Sequence, residues 1–280
     1  MNDTDVRILM PCFDDDPAHL REAVDSLHAQ THDAWELVIV DDGSTDARTL
    51  EALEALAAER DERISVLRQE NAGPAAARNR AARGARTQFL LCLDSDDRIS
   101  TNFLEVTLDA LRARDDVSAV YPTTQKFGGD DGVVEGDEFD WETQLVRNLV
   151  PVTTLVRRDD FERVGGFDER MRHGLEDHEF VLHLLRATRK PALKVPEATL
   201  YYRIRPDSRN ETSHADLATM YAARGMLMAK HGELYVDHPE LVYAAELRFR
   251  EECLRWRARY GRVERVKSLL KLDRLAPHIG

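Results

Sequence analysis

Three acidic residues directly follow a short apolar run, and they are the strongest candidates for chemistry in the sequence. The run covers residues 89–93, and the acids are Asp94, Asp96 and Asp97. A run this short is typical of a strand buried on both faces, and open α/β sheets bind ligands at the carboxyl ends of such strands. Carboxylates this close repel one another, so a divalent cation with oxygen ligands is one interpretation. The other is a polar turn that caps the next helix.

Further polar residues follow the other predicted strands of the first half. The pattern predicts strands at 6–10 (ended by Pro11), 36–40, 64–67 and 89–93, and helices at 17–29, 47–60 and 74–85. This alternation indicates a parallel sheet covered by helices. The polar residues after the first three strands are Asp14, Asp41, Asp42 and Asn71, and we expect them to meet the acid cluster in one crevice. The absence of G-x-G-x-x-G and G-x-x-x-x-G-K disfavours a dinucleotide fingerprint and a P-loop.

The second half of the chain has a less regular pattern. It predicts helices at 101–114 and 159–164, strands at 118–121, 150–156, 192–195 and 198–202, and a mobile loop or loose hairpin at 128–140. A further helix is expected to begin near Glu176 and Asp177, and the pattern is helical from about residue 213 onward. The last two strands are predicted as separate because Pro196 lies between them.

Composition limits the class of protein. The 280 residues are 42% hydrophobic and 32% charged, with a formal net charge of −13, which disfavours nucleic acid as a partner. Cys12, Cys92 and Cys253 are far apart in the sequence, so neither a zinc site nor a disulfide framework is expected, and Cys12 and Cys92 are expected to be buried. The acidic start lacks the apolar segment of a signal peptide, and no stretch reaches the length of a membrane span. We therefore expect a cytoplasmic protein.

Six short motifs, in order over roughly residues 6–210, resemble those of family-2 glycosyltransferases of the GT-A fold. They are Met10-Pro11-Cys12-Phe13, residues 38–46, Asn71-Ala72-Gly73-Pro74 through Arg78-Asn79, residues 93–97, residues 165–169, and Gly174-Leu175-Glu176-Asp177. The resemblance implies an α/β chain with a Rossmann-like, mostly parallel sheet, helices on both of its faces, and a C-terminal helical tail. It also implies an inverting transfer of a sugar from a nucleotide-diphosphate sugar, with UDP the favoured nucleotide. The acceptor would be a hydroxyl of a glycan, a lipid-linked molecule or a small molecule.

The resemblance also implies roles on the donor side. Asp94-Ser95-Asp96 is similar to the family's D-x-D motif, in which Asp96 would bind Mn²⁺ or Mg²⁺ and Asp94 would face the ribose or the metal's waters, while Asp97 is interpreted as a helix N-cap. The remaining donor-binding candidates would be Pro11 and Phe13 at the base pocket, Asp42 with Asp41 as readers of the base, and Arg78 and Asn79 on a helix that faces the donor. For Arg78, packing or an ion pair with the acid cluster is the alternative.

Glu176 and Asp177 are the candidates on the acceptor side. Inversion needs a base on the face opposite the leaving group, and a carboxylate within reach of the acceptor hydroxyl would serve. The resemblance assigns this role to Asp177 and an orienting role to Glu176. The alternative is that both acids only favour the start of a helix, where negative charge is stabilised. His173 and His178 flank the pair and are given no role.

One departure from the family pattern concerns the metal. Many members carry Y-R-x-H-x-x-S, in which the histidine is a further metal ligand, whereas this chain has Arg205 at that position. Arginine stays protonated and cannot bind a metal, but its fork of donors suits a diphosphate. We therefore expect either weaker metal binding or a share of the metal's work taken over by Arg205, with Asp207 a less favoured replacement ligand.

The sequence predicts three regions and leaves the partners open. Residues 1–120 would bind the nucleotide sugar, 121–210 the acceptor, and 211–280 would form a C-terminal helical extension. Residues 246–280 hold ten Arg or Lys against five acids, a basic pattern that suits a peripheral contact with the inner face of the membrane, or equally packing on the catalytic domain or homodimerisation. Two other functions compete, namely a nucleotidyltransferase with the same sheet and a catalytically silent protein that binds nucleotide sugars.

Overall fold

The computed structural model describes residues 4–129, 132–134, 138–172, 174–205, 217–236, 239–244, 247, 250–251 and 254. Asp207, His173, Cys253 and almost all of the basic tail, about which the sequence makes predictions, lie outside these residues. No helix in the described part of the chain combines the length and apolarity needed to cross a membrane.

The first half of the chain forms four parallel strands that alternate with helices, as predicted. The elements are β1 Val6–Cys12, α1 Pro17–His28, β2 Trp35–Asp41, α2 Ala47–Ala58, β3 Ile64–Arg68, α3 Pro74–Ala82 and β4 Phe89–Cys92. The strands pair in parallel in the order β3-β2-β1-β4. Asp16 and Asp46 cap α1 and α2, since their carboxylates accept from Ala18 N and Arg48 N.

The second half completes a mixed sheet. Its elements are β5 Arg98–Ile99, α4 Phe103–Arg112, β6 Ala119–Phe127, β7 Gly132–Val134, α5 Trp141–Val146, β8 Leu155–Arg157, α6 Arg158–Val164, α7 Glu176–Thr188, β9 Ala192–Arg203, α8 Leu217–Lys230 and α9 Glu233–Val236. The full order is β3-β2-β1-β4-β8-β6-β9-β5, with β7 paired to β6. β8 is antiparallel to β4 and β6, whereas β9 is parallel to β6. The sheet and its helices form an α/β fold, as the resemblance to the GT-A fold implied.

Helices cover both faces of the sheet, and alternate strand residues divide between two cores. In β1, Val6, Ile8 and Met10 point to the face covered by α1, α2 and α4, and Leu9 points to the face covered by α3, α6 and α7. Cys12 and Cys92 are free and buried, as expected. Burial raises the pKa of the Cys92 thiol to about 12, so this thiol stays protonated and packs as a small apolar group.

Four local predictions need correction. β1 does not end before Pro11 but continues through it. Proline is tolerated at this position because β4 pairs with β1 only as far as Leu9, so the N–H that Pro11 lacks has no hydrogen-bond partner to lose in β4. The two short strands around Pro196 are one strand, whose register with β6 skips residues 196–198 as a bulge. The strand predicted at 150–156 is confined to β8. Finally, α5 and β5 were not predicted. For residues 128–140 the prediction of a hairpin agrees with the structure at β7, which pairs antiparallel with β6.

A third core joins the C-terminal helices to α7. Leu182 of α7 packs with Leu227 of α8 and Tyr235 of α9. Beside this core, Lys230 Nζ and His231 Nε2 lie 2.8 and 2.9 Å from Oε1 of the fully buried Glu179. Lys230 also reaches Asp168 Oδ2 at 3.1 Å. The C-terminal helices are therefore anchored on the helix that begins with Glu176 and Asp177.

Candidate functional site

The acid cluster lies where β4 ends, and its three members have different surroundings. Burial, followed by the charge of Asp94, raises the pKa of Asp96 to about 6. Burial also raises the pKa of Asp97, whose carboxylate accepts from Arg203 N at 2.8 Å. The sequence suggested that Asp97 is a helix N-cap, and this prediction is wrong, because the N-cap residue of α4 is Asn102. Asp97 holds the end of β9 instead, whereas the side chains of Asp94 and Asp96 are 30% and 18% exposed.

Asp15 is part of the cluster, and sequence reasoning missed it. Its carboxylate accepts a hydrogen bond from Ser95 Oγ and another from Phe13 N at 3.2 Å, and the residue is 9% exposed. In the sequence it stands between Asp14 and Asp16, and such a run resembles a set of capping residues for α1. No local signal identifies it, because its partner Ser95 lies eighty residues away in the sequence.

Arg205 lies directly on the acids. Its guanidinium is 3.2 Å from Asp96 Oδ2 and 3.4 Å from Asp15 Oδ1, and 26% of the side chain is exposed. The residue that stands at the family's histidine position thus brings a fixed positive charge to the D-x-D acids. The positive charge of Arg205 therefore offsets part of the repulsion among these carboxylates.

Arg78 connects the acid cluster to the start of α7. The side chain is 3% exposed, and its guanidinium nitrogens lie 2.6 Å from Asp94 Oδ1 and 3.3 Å from Glu176 Oε1. The contact with Asp94 is the ion pair with the acid cluster that the sequence analysis gave as the alternative interpretation of Arg78. The ion pairs bring two motifs that are far apart in the sequence into one site.

Asn79, the neighbouring residue on α3, faces a different partner. Its amide donates to Phe167 O at 2.9 Å and accepts from Phe167 N at 2.8 Å, so it orders the loop that follows α6. Gly166 is required in that loop, because a Cβ there would lie 2.4 Å from Asn79 Oδ1 and the residue has φ +74°. Phe167 in turn stacks on Phe180 of α7 at 4.3 Å between ring centroids.

The candidates for the base pocket surround the ends of β1 and β2. Asp42 is 3% exposed and accepts from Gln69 Nε2, Ala72 N and Gly73 N at 2.7–2.9 Å, which fixes the loop before α3. Asp41 accepts from Ser44 N and pairs with Arg68. Pro11 is half-buried in β1, opposite Val40. The exposed ring of Phe13 stands just beyond the end of that strand.

Glu176 and Asp177 form the first turn of α7, which a left-handed residue, Leu175, precedes at φ 63°. Glu176 is buried and paired with Arg78, whereas Asp177 is only half-buried. Asp177 Oδ2 accepts from Asn148 Nδ2 at 2.9 Å, and Oδ1 accepts from His178 N at 2.8 Å. The carboxylate is thus held on both oxygens, and the residue is partly exposed.

The acids fit a divalent cation in charge and in donor type, but only as a partial cage. No group of three or more His, Cys, Asp or Glu side chains within the described ranges has the geometry of a metal site. Mg²⁺ is often held by one or two carboxylates together with substrate phosphates, and Asp94 and Asp96 could supply such a pair. The raised pKa of Asp96 shows that this carboxylate would gain from a nearby positive charge.

Solved structures of other proteins share this fold. TarS from S. aureus, residues 1–349 in complex with UDP-GlcNAc, has a TM-score of 0.60 at 20% identity over 73% of this chain and 60% of that one. GalNAc-T7 with UDP, GalNAc and Mn²⁺ has a TM-score of 0.63 at 17% identity over 89% of this chain and 54% of that one. Identities this low establish a common fold.

The sequence comparison then identifies the family. The model of glycosyl transferase family 2 matches residues 7–179, more than half of the chain, and the chain belongs to this family of enzymes. Similar curated proteins include the O-antigen biosynthesis protein RfbC of Myxococcus xanthus, 28% identical over 88% of this chain and 19% of that protein. The putative teichuronic acid biosynthesis glycosyltransferase TuaG of Bacillus subtilis is 39% identical over 34% of this chain and 38% of that protein. The chain spans 23% and 19% of the length of the first curated relatives.

Proposed function

We propose that this chain is an inverting glycosyltransferase that moves a sugar from a UDP-sugar to a hydroxyl acceptor, with Asp177 as general base. The observation that supports it best is the pair of contacts from Arg78 to Asp94 and Glu176. Asp94 of the D-x-D motif and Glu176 of the Glu176–Asp177 pair thus share one buried cation, Arg78. A donor bound at the acids would therefore have its sugar close to the start of α7.

The donor side of the proposal uses the ends of the parallel strands. Phe13 and Pro11 would pack on the base, and Asp42 with Asp41 would read it through oxygens that also order the neighbouring loops. Asp94 and Asp96 would hold Mn²⁺ or Mg²⁺, which offsets the charge on the departing diphosphate. Arg205 would donate to the diphosphate from the side of Asp15 and Asp96, where its two ion pairs already place it.

The acceptor side of the proposal uses α7. The transition state has oxocarbenium character, and inversion requires that the acceptor hydroxyl attack from the face opposite the diphosphate. Asp177 would take the proton of this hydroxyl as the new C–O bond forms and the bond to the diphosphate breaks. Glu176 would position the start of α7 through its ion pair with Arg78.

The names of the relatives support the substrate classes. O-antigen and teichuronic acid are cell-surface polysaccharides, and RfbC and TuaG are named for their biosynthesis. The structures of TarS and GalNAc-T7 contain UDP or UDP-GlcNAc. We therefore infer a UDP-sugar donor, and a glycan or lipid-linked acceptor at the cytoplasmic face of the membrane. Residues 1–120 would form the donor half, 121–210 the acceptor half, and 211–280 an extension.

A panel of nucleotide sugars tests the proposal. We expect release of UDP from one UDP-sugar and a product with inverted anomeric configuration. Binding of UDP without any transfer would favour a silent binding protein, and synthesis of a nucleotide sugar from NTP and sugar phosphate would favour a nucleotidyltransferase.

The variant Asp177→Asn tests the assignment of the base. We expect it to lose transfer by about 10²–10⁴-fold, the usual contribution of a general base, and to keep wild-type affinity for UDP in calorimetry. Asp109→Asn, at an exposed position of α4 on the other face of the sheet, is the matched control and should transfer normally. Normal transfer by Asp177→Asn would rule out Asp177 as the base.

A further inference from the structure

Asp177 is held by a chain of three hydrogen bonds that begins outside α7. Leu149 N donates to Gln144 Oε1 at 2.9 Å, Gln144 Nε2 donates to Asn148 Oδ1 at 3.0 Å, and Asn148 Nδ2 donates to Asp177 Oδ2 at 2.9 Å. Gln144 is fully buried at the base of this chain. None of the six sequence motifs includes Gln144 or Asn148.

The direction of this chain is fixed at its first member. A backbone N–H can only donate, so Leu149 must face the oxygen of the Gln144 amide, and its NH₂ group then faces Asn148. Asn148 must accept there, which turns its own NH₂ group toward Asp177. The two amides therefore deliver a donor to Asp177, and that donor favours its charged form.

His178 fixes the other end of the arrangement. Its Nε2 donates to Gln144 O at 2.6 Å, and its backbone N–H donates to Asp177 Oδ1. Burial lowers the pKa of His178 to about 4, so the ring is neutral at physiological pH and this contact does not change with pH there. The end of α5 and the start of α7 are thereby joined on both sides of Asp177.

We infer that Asn148, oriented by Gln144, is a positioning residue that keeps Asp177 in the charged state and orientation of a general base. The inference rests on the proposed role of Asp177. The charged or titratable groups around this arrangement include Glu176 and His178 on α7 and Arg147, the neighbour of Asn148 in sequence. They also include Arg224 of α8, which donates to Val146 O at 3.2 Å, and Arg78, which pairs with Glu176. None of these is altered when Asn148 or Gln144 is replaced.

Direct titration of the Asp177 carboxyl tests this inference. The ¹³C signal of the Asp177 carboxyl group, assigned by its loss in Asp177→Asn, is followed against pH in the full chain. In Asn148→Ala we expect its midpoint to rise by about one pH unit, because the charged carboxylate loses a hydrogen bond that water replaces only in part. Asn102→Ala makes the same truncation on the other face of the sheet, beside α4, and should leave the midpoint unchanged.

The role of Gln144 is tested by a double-mutant cycle. Gln144→Met keeps the length of the side chain but leaves the Asn148 amide free to turn, so we expect a smaller rise of the same sign. Because Gln144 acts only through Asn148, adding Gln144→Met to Asn148→Ala should produce no further rise. A midpoint within a few tenths of a unit of wild type in both single variants would overturn the inference.

Kinetics give a second readout that separates positioning from structural damage. In Asn148→Ala the acidic limb of kcat should move to higher pH by about the same amount as the NMR midpoint, full activity should return above it, and KM for the donor should not change. A uniform loss at all pH values would indicate damage and contradict the inference. If the wild type transfers no sugar from any donor, the proposed function fails, while the NMR titration still decides the role of Asn148.

Discussion

Replacement of Arg78 should expose how strongly the site depends on one buried cation. In Arg78→Met the two ion pairs at 2.6 and 3.3 Å are lost. Asp94 has a side chain 30% exposed and can recover water, whereas Glu176, at 3%, cannot. Removing one partner of a buried pair typically costs about 3–5 kcal/mol. We expect a loss of this size in the free energy of unfolding at pH 8, most of it from Glu176.

Urea denaturation of the wild type, Arg78→Met, the double variant Arg78→Met with Glu176→Gln, and Arg114→Met measures this effect. Arg78→Met combined with Glu176→Gln should recover at least half of the loss, because a neutral amide needs no counter-charge in the interior. Arg114→Met removes a surface pair with Asp116 and serves as the control without measurable effect. A loss below about 1 kcal/mol, or no recovery in the double variant, would refute this account of the site.

Three further predictions address the metal, the pH dependence and the loop after α6. Arg205→His should bind Mn²⁺ more tightly than wild type in paramagnetic titrations without nucleotide, because a competing charge is replaced by a metal ligand; equal or weaker binding would contradict this. His178 has a pKa of about 4 when folded and an ordinary value of 6.5, so the unfolded chain takes up its proton first as the pH falls. The contribution of neutral His178 to the free energy of unfolding should therefore be fully present above pH 6.5 and be lost as the pH falls toward 4. His178→Gln should flatten this decline, and an unchanged dependence of the free energy of unfolding on pH, measured by urea denaturation, would argue against it. Gly166→Ala should destabilise the protein by about 1–3 kcal/mol through its left-handed backbone and its contact with Asn79. The loss should be smaller in an Asn79→Ala background, and additive losses would show that the contact does not matter.

The sequence predicted the half of the fold in which long apolar strands alternate with helices. β1 to β4 carry continuous apolar runs and end in turn-forming or acidic residues, so their approximate positions and their common edge follow from local patterns, although β1 continues past Pro11. β5 has two residues, and β7 and β8 have three each. Such strands exist because long partners such as β6 and β9 are present, and a local pattern does not report this.

The same distinction applies to the candidate site. Asp94, Asp96 and the Glu176–Asp177 pair follow elements whose ends are visible in the sequence. Asp15 was missed because its partner Ser95 is eighty residues away, and Asn148 because its relation to Asp177 depends on how α5 packs on α7. Polar residues that act through tertiary contacts have no signature of spacing.

The anchoring of α8 on Glu179 has a consequence for chimeras built between this enzyme and longer relatives. A junction at residue 210 would appear natural, since it follows the last motif, but it would leave Glu179 in the interior without Lys230 and His231. It would also remove the cation that joins Asp168 to α7. Exchangeable modules of this type should therefore be cut after residue 236, so that the helix bearing Asp177 is transferred with the two helices that hold it in place.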